Sequence, residues 1–384
     1  MITDTNPFVY SHPVAPEDVI DRDAETQTLL RHAVGGHFVR LTAPRKFGKT
    51  SLLQRVMRDG AAQEGLIPVL VDFYGVLSLA DVTIRIERAY AAQLKGALRS
   101  RVDSFLKSTG LGLSLGAFGV GAKLQLDPKA EPLPALHALL DLPLRLEAGG
   151  GYRALIAFDE FQDVAKIAEM DALVRSHIQF QGEVASYVFA GSEPGMMRQL
   201  FEQKDKPLYG SAVPMRLERL QDADIAVYVA DRFAQSGRDV GETLNPLLAA
   251  AQGHPQRAMH LAHAVWERLE PGETAGYEEW TAGYEAALAE LRPEYEAAWR
   301  SFGTSEQKTL RAVIEGEGSP FRTRVLARLA LERSTAHKAL QRLLATAEVE
   351  QAESGYRVVD PLFAQWVVRL QGGGEPEPSP GENA

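Results

Sequence analysis

The stretch RLTAPRKFGKTSLLQRV, residues 40–56, places a lysine and two hydroxyls directly after a glycine. Just upstream, HFVRLTA at residues 37–43 is a short β-rich run, and from Lys49 onward apolar residues recur at helical spacing. A tight loop therefore joins a strand to a helix. In that setting APRKFGKT matches the phosphate-binding loop pattern, in which backbone N–H groups and a helix N-terminus hold a polyphosphate.

This pattern assigns roles to the loop residues. Lys49 is expected to reach the β- and γ-phosphates of ATP, and Thr50 to place its hydroxyl on Mg²⁺. Ala43 stands where the usual pattern has its first glycine, and alanine is the smallest replacement. The alternative is a chance GKT in a basic loop. The residues assigned to nucleotide contact are Ala43, Pro44, Arg45, Lys46, Phe47, Gly48, Lys49, Thr50 and Ser51.

A second acidic element follows in RALIAFDEFQDV. Residues 154–158 form a continuous apolar run, typical of a strand covered on both faces, and the run ends in Asp159 and Glu160. Asp159 is expected to hold Mg²⁺, and Glu160 to polarise the water that attacks the γ-phosphate. Two acids after a strand can also be a solvated loop start. Their pairing with the GKT loop favours the catalytic interpretation.

Further strands fit one doubly wound, mainly parallel sheet, because strands alternate with helical stretches. They are predicted at residues 66–75, 185–193 and 213–220. The ligand crevice of such a sheet lies at the strand C-termini, where Ala43, Asp159 and Ser192 should converge. Ser192 either senses the γ-phosphate or is a turn serine that caps the next helix.

Seven segments occur in an order that resembles the archaeal-type ATPases of the AAA+/STAND group: RDAETQTLL, APRKFGKTSLL, ALIAFDEFQDV, YVFAGSEPGMMRQLF, PLYGSAVPMRLERL, AQGHPQRAMHL and YRVVDPLFAQWV. The resemblance extends from Asn6 to about residue 370. It implies an α/β P-loop NTPase core with a parallel, AAA-like sheet, a helical lid and a C-terminal winged-helix domain. Members of this group resemble molecular switches more than processive motors. The group often has arginine after the LYG turn, where this chain has Ser211.

The resemblance also implies further site residues. Ile20 and Arg22 would pack near the adenine, the alternative being a surface arm that covers the sheet edge. A helix is predicted to start near Pro255, and Arg257 in its first turn would read the γ-phosphate, unless it is only a surface charge. His254 is expected to cap or pack rather than catalyse.

Residues 301–370 have the helix, helix-turn-helix, hairpin order of a winged helix, with the hairpin turn predicted at Ser354 and Gly355. Its second and third helices carry a basic set against the single acid Glu332: Arg322, Arg324, Arg328, Arg333, Lys338 and Arg342. Such a surface favours contact with double-stranded DNA, through Arg333, Lys338 and Arg342 of the third helix. The alternative is a module that docks a protein partner.

The domain boundaries follow from these motifs. We predict an N-terminal arm with the adenine-side segment at 1–36, the ATPase core at 37–220, the lid at 221–300, the winged helix at 301–370 and a disordered tail at 371–384. Residues 108–127 are glycine-rich and apolar, which favours an inserted hairpin or a partner-contact loop.

Composition narrows the protein class. The chain has 384 residues, 45% of them hydrophobic, which suffices for ordinary globular cores. It contains no cysteine, which excludes disulfides and thiolate chemistry, and its nine histidines show no ligand spacing. The formal charge of -10 argues against a uniformly basic nucleic-acid coat. No signal peptide or membrane span is indicated, so a cytoplasmic location is expected.

Two functional hypotheses remain at this point. The first is a slow ATPase that couples nucleotide state to a DNA-binding winged helix. The second is a regulatory or scaffold protein that binds ATP, hydrolyses it weakly and docks a protein partner. Homo-oligomerisation is compatible with both.

Overall fold

The computed structural model describes residues 5–108 and 131–371. These residues fall into two compact units. The core unit is Pro13–Glu218, and the C-terminal unit joins the N-terminal residues up to His12 with the chain from Arg219 onward. The predicted insertion at 108–127, beyond Ser108, and the predicted tail, beyond Gln371, lie outside the described residues.

The core unit alternates strands and helices. Its strands are β1 (Val39–Thr42), β2 (Ile67–Asp72), β3 (Ala154–Asp159), β4 (Ala185–Gly191) and β5 (Val213–Arg216). Its helices are α1 (Asp23–Val34), α2 (Lys49–Glu64), α3 (Leu79–Gln93), α4 (Gly96–Ser108), α5 (Pro132–Leu140), α6 (Leu142–Ala148), α7 (Met170–Ile178) and α8 (Pro194–Glu202). Short 3₁₀ turns occupy Pro16–Asp18 and Phe161–Lys166.

The five strands form one parallel sheet in the order β2-β3-β4-β1-β5. Every residue of β3 and β4 is buried, as expected for central strands that are covered by helices on both faces. β5 lies at the edge and contains Pro214, which an edge strand tolerates because one side of its backbone makes no ladder bonds. This strand ends at Arg216, so the sequence-based prediction of a strand to residue 220 is too long. The amide of Leu217 still donates to the Thr42 carbonyl at 2.9 Å, and the C-terminal unit begins two residues later, at Arg219.

An aromatic cluster fixes the positions of the two central strands. The rings of Phe158 and Phe189 lie 5.9 Å apart, and Phe161, two residues beyond the end of β3, lies 4.8 Å from Phe189. All three rings are almost completely buried, so each contributes on the order of 2 kcal/mol or more through removal of apolar surface from water. This packing holds the C-terminal ends of β3 and β4 at a defined separation.

The C-terminal unit is mostly helical. Its helices are α9 (Asp222–Gln235), α10 (Leu244–Ala251), α11 (Pro255–Trp266), α12 (Tyr277–Ser301), α13 (Thr304–Glu315), α14 (Thr323–Arg328), α15 (Arg333–Ala345) and α16 (Pro361–Gln371). β6 (Val349–Ala352) and β7 (Gly355–Val358) form an antiparallel hairpin between α15 and α16. From α13 to β7 the elements follow the order helix, helix, helix, hairpin that the sequence predicts.

The hairpin turn differs by one residue from the prediction. Ala352 pairs with Gly355, so the turn consists of Glu353 and Ser354, and Gly355 already belongs to β7. Glycine is required at this position because its φ is +129° and a Cβ would lie 2.2 Å from the carbonyl oxygen of Gly318.

A buried ion pair holds the start of the C-terminal unit to this hairpin. Arg219 Nε donates to Glu350 Oε1 at 2.6 Å, and both side chains are less than a tenth exposed. The same guanidinium donates to the carbonyls of Gln252 at 2.8 Å and Val359 at 2.6 Å. Arg357 also donates to Glu350, at 2.7 Å. One arginine therefore connects the residues before α9, the loop before α11 and the β6–β7 hairpin.

Replacing Arg219 with methionine should destabilise the C-terminal unit by about 3 kcal/mol, because Glu350 would lose its buried partner while retaining Arg357. All four tryptophans of the chain, Trp266, Trp280, Trp299 and Trp366, lie in this unit, so urea unfolding followed by tryptophan fluorescence reports on it.

The matched control is Arg300→Met, which breaks an exposed pair with Glu296 in the same unit and should cost at most about 1 kcal/mol. Equal midpoints for Arg219→Met and the wild type would contradict a stabilising role of the buried pair.

Within the described ranges, no helix combines the length and the apolar character needed to cross a bilayer.

Candidate functional site

The loop between β1 and α2 has the backbone geometry of an anion cradle. Lys46 and Gly48 have left-handed φ values of 66° and 81°, and α2 starts directly afterwards at Lys49. The amide of Leu52 already bonds to the Gly48 carbonyl at 2.9 Å, so the first helical turn is formed. The free N–H groups of that turn point out of the helix N-terminus, where they favour an anionic ligand. Glycine at position 48 is what allows this turn to close.

The loop alternates buried and exposed side chains. Pro44 and Phe47 are buried, whereas Arg45 and Lys46 are exposed. Ala43 is fully buried, and its amide donates to the Gly191 carbonyl at 3.3 Å, which ties the loop to the end of β4. Because Ala43 is not among the residues with positive φ, alanine meets no left-handed strain at the position where glycine is usual.

Lys49 lies between the two acids that follow the apolar run of β3. Its Nζ is 2.9 Å from Glu160 Oε1 and 3.7 Å from Asp159 Oδ1, and the lysine side chain is only 6% exposed. A buried ammonium needs such partners, because an isolated charge is costly in a medium of low dielectric constant. The structure therefore brings together the loop lysine and both acids.

Thr50 makes the second link between α2 and β3. Its Oγ1 donates to Asp159 Oδ2 at 2.6 Å. Ser51, the next residue, accepts from the amide of Val14 at 3.1 Å and so holds the N-terminal approach rather than facing the acids. The hydroxyl of Thr50 and the carboxylate of Asp159 thus lie side by side, which is the type of oxygen pair that suits Mg²⁺.

Ser192, at the end of β4, completes the group around Glu160. Its Oγ donates to Glu160 Oε2 at 2.6 Å. It does not cap the following helix, since the residue in the N-cap position of α8 is Glu193. Of the two readings that the sequence leaves open, the capping one is wrong. Contact with a γ-phosphate stays a prediction.

Gln162 also belongs to this group, although the sequence did not predict it as a site residue. This residue is 1% exposed, and its amide nitrogen contacts both Glu160 Oε2 and Ser192 Oγ. One sequence feature could have indicated it: Gln162 is an uncharged polar residue within the otherwise apolar and acidic segment AFDEFQDV.

The surroundings of Glu160 favour its ionised form. Burial by itself raises the pKa of this carboxyl, but the charge of Lys49 and hydrogen bonds from Ser192, Lys49 and Gln162 outweigh it. The net pKa of Glu160 lies below its ordinary value, so the group is a carboxylate at neutral pH.

Two residues assigned to the adenine side have other contacts in the structure. Arg22, which is buried, donates to the Glu218 carbonyl at 2.7 Å and pairs with Glu25 at 2.7 Å. Ile20 is half-buried on the chain before α1. Their proximity to a base stays a prediction.

Arg257 is buried and ion-paired inside the C-terminal unit. α11 begins at Pro255 as predicted, and the His254 ring accepts from the Arg257 amide at 3.3 Å, so His254 caps the helix. The Arg257 guanidinium donates from Nε to both oxygens of Asp360 at 3.0 Å. Burial raises the pKa of Asp360, but Arg257 outweighs it and holds that pKa below its ordinary value. Arg257 is therefore not an exposed surface charge, and its role toward a γ-phosphate stays a prediction.

The basic residues of α14 and α15 form a second candidate site. Arg333 and Lys338, with Phe321, Ser334 and His337, line an open cavity of about 670 Å³ at the start of α15. Arg333 also donates to the Phe321 carbonyl at 3.0 Å.

Acids outside α14 and α15 face part of this basic set. Arg328 pairs with Glu315 of α13, Arg342 lies 3.9 Å from Glu306 of α13, and Arg322 lies 3.6 Å from Glu317. Counting charges along residues 321–345 alone missed these acids, because they belong to the preceding helix and loop. The surface is consequently less positive than the sequence suggests.

Comparison with solved structures places the chain among known folds. A Walker-type ATPase of Pyrococcus abyssi is similar with a TM-score of 0.69 and 18% identity, covering 94% of this chain and 99% of that one. The ORC2 protein of Aeropyrum pernix, solved as ADPNP-ADP complexes, is similar with a TM-score of 0.61 and 17% identity, covering 95% and 96%. No family model matches the chain, and neither does any curated protein sequence.

At these identities the likeness concerns the fold. The parallel five-stranded sheet flanked by helices is the AAA+ P-loop NTPase fold, and the two neighbours extend over nearly the whole chain. The predicted fold class is thereby confirmed.

Proposed function

We propose that this protein binds Mg²⁺-ATP at the loop between β1 and α2 and hydrolyses it slowly, as a nucleotide-dependent switch. The observation that carries the proposal is the joint position of Lys49 and Thr50 against Asp159 and Glu160. A helix N-terminus, a buried lysine, a hydroxyl and two acids at one end of a parallel sheet are the groups that phosphoryl transfer requires.

Charge balance supports a cation together with the nucleotide. Lys49 supplies one positive charge against the carboxylates of Asp159 and Glu160, so the buried group is one positive charge short. Thr50 and Asp159 would hold Mg²⁺, which supplies charge neutralisation for the β- and γ-phosphates. Glu160 would accept a hydrogen bond from the attacking water, and Lys49 would contact phosphate oxygens.

The same contacts suggest why turnover is slow. Lys49 donates to Glu160 Oε1, and it must leave Glu160 to bind phosphate. Nucleotide binding therefore exchanges one ion pair for another. Such an exchange couples occupancy of the site to the position of Glu160, which is the property of a switch.

The DNA-binding part of the proposal rests on Arg333, Lys338 and Arg342 of α15. The helix, helix, helix, hairpin order supports a winged-helix domain, and the third helix of that domain would enter the major groove. Double-stranded DNA would then be the partner whose binding depends on nucleotide state.

A second candidate is an ATP-binding scaffold whose winged helix docks a protein. The pairing of Arg322, Arg328 and Arg342 with acids favours it, because each pair lowers the charge available for phosphate. The two candidates share the nucleotide site and differ in partner and turnover. Self-association into a homo-oligomer is compatible with either.

Replacing Lys49 with alanine should weaken Mg²⁺-ATP binding by about a hundredfold, because charge-assisted hydrogen bonds to the phosphates are lost. Titration calorimetry measures this. Lys46→Ala removes a lysine with an exposed side chain from the same loop and should change the affinity much less. Wild-type affinity in Lys49→Ala would rule out this loop as the phosphate site.

Replacing Glu160 with glutamine should leave Mg²⁺-ATP bound but lower kcat by about a hundredfold, since an amide does not accept a proton from water as a carboxylate does. Phosphate release under saturating ATP measures kcat. Glu147→Gln, an exposed position on α6, is the control for a lost carboxylate. If Glu160→Gln turns over at the wild-type rate, another residue orients the water.

Replacing Arg333, Lys338 and Arg342 together with alanine should weaken duplex binding for every sequence and flatten its salt dependence by up to about three units of slope. ATP turnover without DNA should hardly change. Labelled duplexes titrated at several salt concentrations measure both quantities.

The control for this triple variant removes the same charge from exposed positions outside α15, at Arg198, Lys204 and Arg300. It should retain wild-type DNA affinity. An absence of duplex binding by the wild type, at low salt and with ATP, would discard DNA and favour the protein-docking candidate.

A further inference from the structure

Gln162 occupies an unusual position beside the acids of β3. It lies in the 3₁₀ turn Phe161–Lys166, and its side chain is almost completely buried. The amide nitrogen donates to Glu160 Oε2 and lies 3.4 Å from Ser192 Oγ. A hydrophobic residue would fill the same space without the cost of burying a polar group, so the presence of an amide here requires an explanation.

The orientation of this amide is determined by Glu160. If the side chain were reversed, its carbonyl oxygen would face the carboxylate, and two acceptors would oppose each other. In the observed orientation, Gln162 Oε1 is buried and has no hydrogen-bond partner among the described residues. A buried acceptor without a partner is uncommon and unfavourable, so the contact with Glu160 outweighs this cost.

The neighbouring strand leaves room for this arrangement. A Cβ on Gly191 would lie 2.6 Å from Gln162 Oε1 and 2.6 Å from Met197, so a larger residue at the last position of β4 would displace one of these side chains. Glu160 itself has a left-handed backbone, with φ 50° and ψ 41°, which is unfavourable for a residue with a Cβ. The glycine at position 191 and the left-handed backbone of Glu160 thus both favour one position of the Glu160 carboxylate.

The donors around Glu160 divide between its two oxygens. Oε1 accepts from Lys49, whereas Oε2 accepts from Ser192 and Gln162. When Lys49 moves to bind phosphate, Oε1 loses its donor and can accept a hydrogen bond from water. Oε2 keeps both of its donors, so the carboxylate retains its direction.

We propose that Gln162 is a positioning residue for ATP hydrolysis, which holds Oε2 of Glu160 so that Oε1 faces the attacking water. The inference rests on the proposed ATPase function and adds a residue that acts through Glu160 rather than on the nucleotide. In the part of the chain that the structure describes, Gln162 makes no hydrogen bond with Lys49 or Thr50, so it should affect turnover and leave nucleotide binding unchanged.

The test uses Gln162→Met in the full chain, because methionine has nearly the same length and no hydrogen-bond donor. We expect the Kd for Mg²⁺-ATP to stay within about twofold of the wild type, while kcat falls by about tenfold. The loss should appear in kcat and not in Kd, since Oε2 of Glu160 loses one donor while Lys49 and Ser192 remain.

The control is Gln181→Met, which removes a second buried glutamine from the core unit. Gln181 bonds the Leu140 carbonyl at 2.8 Å and accepts from Tyr187, and it has no contact with Glu160. This variant should lose stability while its kcat stays within about twofold of the wild type. If Gln162 has only a structural role, both variants should lose stability and keep kcat near the wild-type value. That result would overturn the proposal.

A measurement without nucleotide separates this inference from the proposed function. In protein labelled with ¹³C at the glutamate carboxyl carbons, the Glu160 signal is identified by its loss in Glu160→Gln. Because Oε2 loses a donor, the chemical shift of this signal at neutral pH should differ from the wild type in Gln162→Met but not in Gln181→Met, whether or not the wild type hydrolyses ATP. An unchanged shift in Gln162→Met would overturn the positioning role, whereas an inactive wild type with a changed shift in Gln162→Met would overturn only the ATPase.

Discussion

The buried ammonium of Lys49 is the constraint on which the rest of the site depends. A lysine with a side chain 6% exposed must have negative partners, and Asp159 and Glu160 supply them from the end of β3. Because Lys49 opens α2, this requirement fixes the distance between that helix and the central strand. The loop before it must then turn sharply, which Gly48 permits.

The surroundings of the ion pair follow from the same constraint. Glu160 can neutralise Lys49 only if its carboxylate points inward, and its left-handed backbone together with Ser192 and Gln162 achieves this. The cost is local: strain at one residue and an unpaired amide oxygen at another. The aromatic packing between β3 and β4 offsets these two costs. Burial of several rings stabilises the fold by more than the strained backbone or the unpaired oxygen destabilises it.

Buried arginine pairs organise the C-terminal unit in a comparable way. Arg219 with Glu350, and Arg257 with Asp360, each connect segments that are distant in sequence. The arginines of α14 and α15 differ, because most of them are exposed and several face single acids of α13. Exposed pairs contribute little to stability and exchange partners readily, so these side chains are suited to contact with an external partner.

Local sequence was sufficient to predict the positions of the strands, though not the end of β5, and the helix that begins at Lys49. It also predicted the two acids at the end of β3, because apolar periodicity and short motifs are properties of a few neighbouring residues. It also indicated that Ser192 would lie near Asp159, since parallel strands end at one edge of the sheet. It could not identify Gln162, the acids that face α15, or the pairing of Arg257 with Asp360. Those features depend on side chains from separate elements, and burial, which only the tertiary structure determines, gives each contact its strength.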